Sequence, residues 1–128
     1  MTQIVKLPDS ANCIIETACL ETLRKLESPD DPNVLFELVG VFLQSSEARL
    51  SRLVGNLAGS DFHQIGEEAH SLKATCATLG AVALSELCKA LEEAAIRKDL
   101  AETTRLVGVI ELQYRVAKSE LQRRVLPD

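Results

Sequence analysis

A histidine followed three residues later by a lysine is the pair of side chains in this sequence best suited to chemistry. Apolar residues around it recur at three- and four-residue spacing, which predicts an amphipathic helix. At about 100° per residue, His70 lies on the polar side of that helix and Lys73 lies one turn farther along. A surface imidazole keeps a nitrogen lone pair at neutral pH, because its unperturbed pKa is about 6.5. That nitrogen can attack the phosphorus of an acyl phosphate, and a nearby ammonium can stabilise the charge on the phosphoryl oxygens.

The positions around His70 on this helix carry small or charged residues. An imidazole surrounded by glycine and alanine is accessible to a bulky partner, so these positions are predicted to form a docking surface. A surface histidine with a lysine at i+3 is otherwise an ordinary solvated residue, and the spacing alone does not identify a function. The helical neighbours are Gly66, Glu67, Lys73, Ala74 and, two turns along, Ala77.

The same segment resembles the signature of the histidine phosphotransfer (HPt) domain family. That signature is a histidine, a lysine three residues later, a glycine beside the lysine, and a second glycine six residues farther on. Here these positions are His70, Lys73, Ala74 and Gly80, and the likeness extends over about residues 33–122, including 87–92. Alanine at position 74 departs from the usual glycine. Because alanine is the next smallest side chain, access to His70 is largely preserved, although the choice of docking partner could narrow.

The resemblance implies a phosphoryl carrier in a two-component phosphorelay. His70 would accept a phosphoryl group from a receiver-domain aspartate and pass it to another receiver domain, with Lys73 stabilising the phosphate. The partners would be receiver domains of hybrid sensor kinases and of response regulators, each with its own magnesium. No cofactor and no metal ligands are therefore expected in this chain. The sequence has no P-loop and no kinase glycine-rich loop, so the chain is expected to be a carrier and not an ATP-using enzyme.

Two other interpretations remain open at this point. The chain could be a non-phosphorylated helical adaptor that binds and occupies a receiver or kinase domain. It could also be the phosphoacceptor module of a larger chemotaxis-type or hybrid kinase. The start at Met1 and the irregular first residues favour a free-standing protein.

Four residues near His70 allow a structural as well as a functional interpretation. Glu67 could hydrogen-bond a ring nitrogen of His70 and fix its tautomer, or it could be a solvated surface glutamate. Gly66 costs about 1 kcal/mol relative to alanine inside a helix, which fits a need for space beside His70 but also fits close helix packing. Gly80 is expected to end the helix and not to contact phosphate. His63 is expected to be a surface residue, because it lacks further zinc ligands and a lysine at i+3.

Composition and periodicity predict a single all-α domain. The chain has 128 residues, 46% of them apolar and few aromatic, so its core must come from aliphatic side chains, as in packed helices. Amphipathic helices are predicted at about 15–26, 32 to 55–59, 61–79, 82–98 and 100–124. Short connections between them imply an antiparallel up-down four-helix bundle with a short additional N-terminal helix. Residues 1–12 are predicted to be a flexible lead, and residues 13–126 to be the bundle domain.

Capping signals and core positions add detail to these helices. Asp31 is expected to cap the second helix, with the following proline at its first position. Asp61 and Gln64 have the form of a capping box at the start of the third helix. Leu38 in the second helix and Val116 in the fifth are expected to face the core.

Charge and hydropathy argue against several classes of partner. The net charge of −5, the pI near 5.1 and the lack of a long basic run disfavour nucleic acid. No apolar run approaches the roughly 20 residues that cross a bilayer, and no secretion signal begins the chain, so a cytoplasmic monomer without membrane contact is expected.

The four cysteines lack C-x-x-C spacing and are expected to be reduced, with Cys76 and Cys88 in the core.

Overall fold

Five α-helices follow one another along the chain in the computed structural model, which describes residues 15–125. Each helix begins and ends within a few residues of its predicted bounds, and the all-α prediction is confirmed. The predicted flexible lead, residues 1–12, lies outside the described residues. The helices are α1 (Thr17–Arg24), α2 (Val34–Ala58), α3 (Phe62–Thr78), α4 (Val82–Ile96) and α5 (Leu100–Val125).

The helices α2 to α5 form the predicted four-helix bundle. Each of them packs on the next in sequence, α2 also packs on α5, and α1 packs on α2. Three-residue loops join α2 to α3, α3 to α4 and α4 to α5. Loops this short reverse the chain direction, so neighbouring helices are antiparallel. None of the helices within residues 15–125 has the length and apolarity needed to cross a bilayer.

The bundle core is mainly aliphatic, with two buried aromatic side chains, Phe42 on α2 and Tyr114 on α5. The predicted apolar stripe of α3 is buried from Ile65 to Leu79, and Phe62 at its start is partly buried. On α5, however, Val116 is exposed, and the prediction that it faces the core is wrong. Tyr114 is buried on this part of α5, because its hydroxyl finds polar partners on α2, including the Glu47 carboxylate at 2.7 Å.

The start of α2 differs from the expected cap. The helix begins at Val34, and Asp31 instead forms a tight turn with Ser28 through backbone hydrogen bonds. The first-turn amide of Leu35 donates to the Glu27 carboxylate at 3.1 Å. A carboxylate from the segment after α1 therefore satisfies this amide, and an anion at a helix N-terminus also interacts favourably with the helix dipole.

Both ends of α3 follow their sequence signals. Asp61 accepts a hydrogen bond from the Gln64 amide at 3.2 Å, which confirms it as the cap. Gly80 follows the last turn with φ +86°, a backbone conformation that side chains rarely adopt. A Cβ at Gly80 would lie 2.9 Å from the Glu16 carbonyl oxygen and 2.9 Å from the Cys19 Cβ. Glycine thus ends the helix and lets the segment before α1 pack directly against the turn.

The cysteines in the described residues are free thiols. Cys76 on α3 and Cys88 on α4 are both buried, as predicted, and Cys19 is partly buried. A hydrogen bond with Cys88, together with burial, raises the pKa of the Cys76 thiol. A buried thiol with a raised pKa is unreactive, so this pair acts as core packing.

Candidate functional site

Helix α3 places His70 on the solvent face of the bundle. The preceding Ala69 and the nearby Leu72 are fully buried, which fixes the rotation of the helix about its axis. The His70 side chain therefore projects outward and is 65% exposed. This agrees with the placement expected from the sequence.

A carboxylate from the neighbouring helix joins His70 to Lys73. Glu92 on α4 places one oxygen, Oε2, 3.0 Å from His70 Nδ1, while its other oxygen, Oε1, accepts from Lys73 Nζ at 2.9 Å. The hydrogen bond from Lys73, opposed by partial burial and aided by the contact with His70, lowers the pKa of Glu92 below its usual value. Glu92 is therefore an anion at neutral pH, in contact with both side chains.

The contact with Glu92 assigns the proton on the imidazole ring. An ionised carboxylate can only accept hydrogen bonds, so His70 Nδ1 must carry the hydrogen. In a neutral imidazole the other nitrogen, Nε2, then holds a free lone pair. No residue within 15–125 donates a hydrogen bond to Nε2. The site thus presents an accessible nucleophilic nitrogen.

Helix α3 is held on both sides by polar contacts. On the α2 side, the nearly buried Glu68 accepts from Arg49 at 2.8 Å and from Arg52 at 2.7 Å. The hydrogen bond from Arg52 is the main reason that the pKa of Glu68 lies below its usual value. On the α4 side, the Ser85 hydroxyl donates to the backbone carbonyl of Lys73 at 3.0 Å. These contacts fix the register of α3 against both neighbours and so position the site.

The small residues flanking His70 leave space on the surface. Ala74 and Ala77 are exposed, and Gly66 is partly buried at the bottom of a groove of about 480 Å³ between α3 and α4. A Cβ at Gly66 would meet only the Ala95 Cβ, at an ordinary contact distance of 3.9 Å. Helix packing therefore does not require glycine at this position, and its lack of a side chain enlarges the groove beside His70.

The contact with the ring that sequence reasoning considered for Glu67 is made by Glu92 instead. Glu67 is exposed and makes no hydrogen bond to His70, so the solvated interpretation applies to it. Glu92 contacts the ring although it lies 22 residues later in the chain. The only sequence signal for Glu92 was its place in the family-like segment 87–92, because its contact with His70 depends on how α4 packs on α3.

The two remaining candidate residues, His63 and Gly80, have surface or structural roles. His63 is exposed, and within residues 15–125 no group of three or more histidine, cysteine or acidic side chains is arranged to hold a metal ion. Gly80 lies ten residues after His70, about 15 Å along the helix at roughly 1.5 Å per residue. It therefore ends α3 and does not reach the ring of His70.

An apolar cleft opens between α1, α2 and α3, on the opposite flank of α3 from the groove. It has a volume of about 550 Å³, and Leu26, Leu38 and Val41 line it. Leu38 is exposed, so the prediction that it faces the core is wrong, because adjacent positions of α2 take the inner face. Ala74 lies at the edge of the cleft, one turn from His70. The cleft and the site therefore belong to one continuous surface.

Comparisons with known proteins find related sequences and a related fold. The sequence matches the family model described as Hpt domain over residues 37–123, which include His70, Lys73 and Glu92. It is 24% identical over 103 residues to histidine-containing phosphotransfer protein 2 of Arabidopsis thaliana, an alignment that covers 78% of this chain and 66% of that protein. The chain thus spans slightly less than two thirds of that relative.

The fold is similar to that of a solved bacterial protein. The crystal structure of histidine-containing phosphotransfer protein B from Pseudomonas aeruginosa matches with a TM-score of 0.77 and 28% sequence identity. The match covers 86% of this chain and 92% of the Pseudomonas chain.

Proposed function

This chain belongs to the Hpt domain family of histidine phosphotransfer domains in two-component phosphorelays, and we propose that it carries the phosphoryl group on His70. The observation that carries this proposal is the exposed ring whose Nδ1 contacts an anionic carboxylate, leaving Nε2 free. The resemblance found in the sequence is confirmed at the level of the family.

The proposed reaction is a direct displacement at phosphorus. The Nε2 lone pair of His70 forms the new bond to the phosphorus of a receiver-domain acyl phosphate. The bond from phosphorus to the aspartate oxygen breaks, and its electron pair stays on the aspartate carboxylate. The reverse displacement, on the aspartate of a second receiver domain, returns the electron pair to Nε2.

Lys73 is proposed to stabilise the transferred group. Its ammonium lies one turn from His70 and is held by Glu92 at 2.9 Å, on the exposed side of the α3 and α4 pair. A flexible lysine in this position can turn its ammonium toward the phosphoryl oxygens while charge develops on them.

The proposed partners are receiver domains of hybrid sensor kinases and of response regulators. The apolar cleft, with the exposed Ala74 and Ala77 beside it, supplies a surface that a globular partner can cover while it reaches His70. Gly66 and Glu67 border the same ring on its other flank. We propose a small and short-lived interface, since relay partners must exchange quickly.

The carrier is proposed to work without a cofactor of its own. Magnesium would come with the receiver domain, and ATP would be used only by the kinase upstream. A cytoplasmic monomer fits this role, because its partners must approach the same histidine in turn.

Phosphoryl transfer from labelled receiver domains tests the proposal. A purified chain mixed with each phosphorylated receiver domain of the source organism should acquire an acid-labile label, and His70→Gln should acquire none. His63→Gln is the matched control, since this exposed histidine lies on the same helix and should leave labelling unchanged. Equal labelling of wild type and His70→Gln would contradict the proposal. Receiver binding without any labelling of wild type would favour the adaptor interpretation.

A further inference from the structure

The groove between α3 and α4 extends from His70 toward the end of the bundle where α3 begins and α4 ends. It is lined by Phe62, Gly66 and His70 on α3, and by Ile96 and Lys98 at the end of α4. The stretch from Phe62 to His70 is about 12 Å long at roughly 1.5 Å per residue. Because the ring of His70 is part of the wall, a partner that reaches the ring also lies over the adjoining part of the groove.

Gly66, at the bottom of the groove, weakens its helix without a packing reason. Glycine in a helix interior is less favourable than alanine. A Cβ at this position would meet only the Ala95 Cβ, at an ordinary contact distance of 3.9 Å. The one described glycine with a positive φ is Gly80, so the backbone at Gly66 does not require glycine either. What the missing side chain provides is space in the groove.

Lys98, where α4 turns toward α5, is a second residue that local stability does not favour. Its φ of +56° lies in the left-handed region, where glycine is unstrained and a lysine is not. A cation near a helix C-terminus is favourable, but the exposed Arg97 already provides one there. Lys98 is exposed, and none of the salt bridges within residues 15–125 involves it. Its charge is therefore free to pair with an anion on a partner.

Apolar surface lies between these two positions. Ile96 is 74% exposed, and Phe62 is only partly buried. Exposed apolar surface with a cation at its edge is complementary to a partner segment that carries an apolar side chain beside an acidic one. Glu67 also borders the groove, but it stands on the α3 wall, whereas Lys98 follows α4. An acidic group is therefore expected at the α4 end of the groove.

We propose that this groove is a specificity site for a loop of the receiver domain beside its phosphorylated aspartate, with an apolar side chain of that loop over Gly66 and an acidic one at Lys98. This inference rests on the proposed function of His70. It goes further, because it assigns part of the choice of partner to residues outside both the phosphoryl transfer site and the apolar cleft. A receiver domain with a basic residue in that loop would face Lys98 as a like charge and would be rejected.

The proposal predicts opposite effects on stability and on transfer. Gly66→Ala and Lys98→Gly each replace an unfavourable local choice with a favourable one, so the Tm should stay equal or rise by up to about 5 °C. The same changes remove space or charge from the groove, so transfer from a receiver domain should slow about three- to tenfold. A purely structural role would instead make stability and transfer fall together.

Single-turnover transfer from the receiver domain that labels the wild-type chain fastest is the test. Loading by potassium phosphoramidate, a small phosphoryl donor that does not cover the groove, is measured in parallel. Gly66→Leu fills the groove further and should slow receiver transfer more than about tenfold. Lys98→Gly should also make receiver transfer less sensitive to salt, since a charge pair is lost. Circular dichroism gives the Tm of each variant.

Two variants outside the groove are matched controls. Gly108→Ala is the control for Gly66→Ala, because an added Cβ there has nothing within 4 Å. Lys89→Met is the control for the loss of a charge, because Lys89 is partly exposed on α4 and does not line the groove. Both should transfer from the receiver domain at the wild-type rate.

The expected result is slower receiver transfer in the groove variants, with a much smaller change in loading by phosphoramidate. Wild-type transfer rates in both Gly66→Leu and Lys98→Gly would overturn the proposal. Equal slowing of receiver transfer and of phosphoramidate loading would also overturn it, because access to the ring would then be what was lost. If Gly66→Leu does not fold, Gly66→Ala and Lys98→Glu provide the same test. Failure of the wild-type chain to accept label from any receiver domain would instead defeat the proposed function.

Discussion

The chemistry of His70 comes from neighbours on two helices. Its exposure is set by the rotation of α3, its tautomer by Glu92 on α4, and its nearest cation is Lys73 on its own helix. Because each group acts on a different property of the ring, substitutions should have separable effects. Under the proposed function, loss of His70 should remove the phosphoryl acceptor, loss of Glu92 should remove the hydrogen-bond partner of Nδ1, and loss of Lys73 should destabilise the transition state.

At the residue scale, Lys73→Met should slow phosphoryl transfer in both directions. Loss of a cation near the phosphoryl oxygens of an exposed site should reduce the rate about tenfold, or about 1.4 kcal/mol of transition-state stabilisation. Single-turnover transfer from a phosphorylated receiver domain measures this rate. Lys89→Met is the control, because Lys89 is an exposed lysine of α4 with no hydrogen bond to Glu92. Equal rates for Lys73→Met and wild type would show that Lys73 does not act on the phosphate.

Helix α3, which carries His70, is held in place by contacts at its two ends and with the neighbouring helices. α3 is capped by Asp61 at its start, bound to α2 through Glu68, and ended by Gly80. The turn at Gly80 also accepts a backbone hydrogen bond from Glu16 at 2.8 Å, which ties the segment before α1 to the end of α3. The short first helix is therefore anchored to the same element that carries His70.

At the element scale, Gly80→Ala should destabilise the fold. The new Cβ would lie too close to the Glu16 backbone, and the positive φ adds strain, so we expect a loss of about 1–3 kcal/mol in the free energy of unfolding. Urea denaturation followed by circular dichroism measures it. Gly108→Ala is the matched control, because Gly108 is helical with nothing within 4 Å of an added Cβ. That change should be neutral or stabilising by up to about 1 kcal/mol, and a similar loss in both variants would contradict the explanation.

On the scale of the whole molecule, His70 lies between two different surfaces. One is the apolar cleft between α1, α2 and α3, and the other is the groove between α3 and α4 that Gly66 keeps open. Three large exposed aliphatic side chains, Leu26, Leu38 and Val41, line the cleft. We expect a partner that covers this cleft to come within reach of Nε2, because Ala74 at the edge of the cleft lies one turn from His70. Under the proposed function, the bundle is a rigid support for one reactive side chain and one docking face.

Val41→Glu tests the docking role of the cleft. Val41 is 64% exposed, so a charge there should leave the fold intact but oppose burial under a partner. We expect transfer from a receiver domain to slow about tenfold at low partner concentration, with loading by phosphoramidate unchanged. Leu112→Glu is the matched control, since Leu112 is 60% exposed on α5. If both variants transfer at the wild-type rate, the cleft is not the docking face.

Patterns within a few neighbouring residues were sufficient to predict much of this structure. The periodicity of apolar residues placed the helices and turned His70 outward, the Asp61 and Gln64 pair marked the start of α3, and Gly80 marked its end. These features depend on backbone hydrogen bonds and side-chain direction within a few residues, which the order of residues alone determines. The family likeness of the residues around His70 then indicated the chemistry.

Tertiary packing decided the features that join separate helices. Glu92 meets His70 only because α4 packs on α3 in one register, and nothing local to either residue specifies that register. In the same way, Tyr114 is buried and Val116 and Leu38 are exposed because the rotation of each helix depends on all its neighbours together. A helical pattern defines an apolar stripe only to within about a residue on either side, whereas the bundle selects a single rotation. The sequence by itself thus predicted which residue is the candidate nucleophile, and the tertiary structure decided which carboxylate contacts its ring.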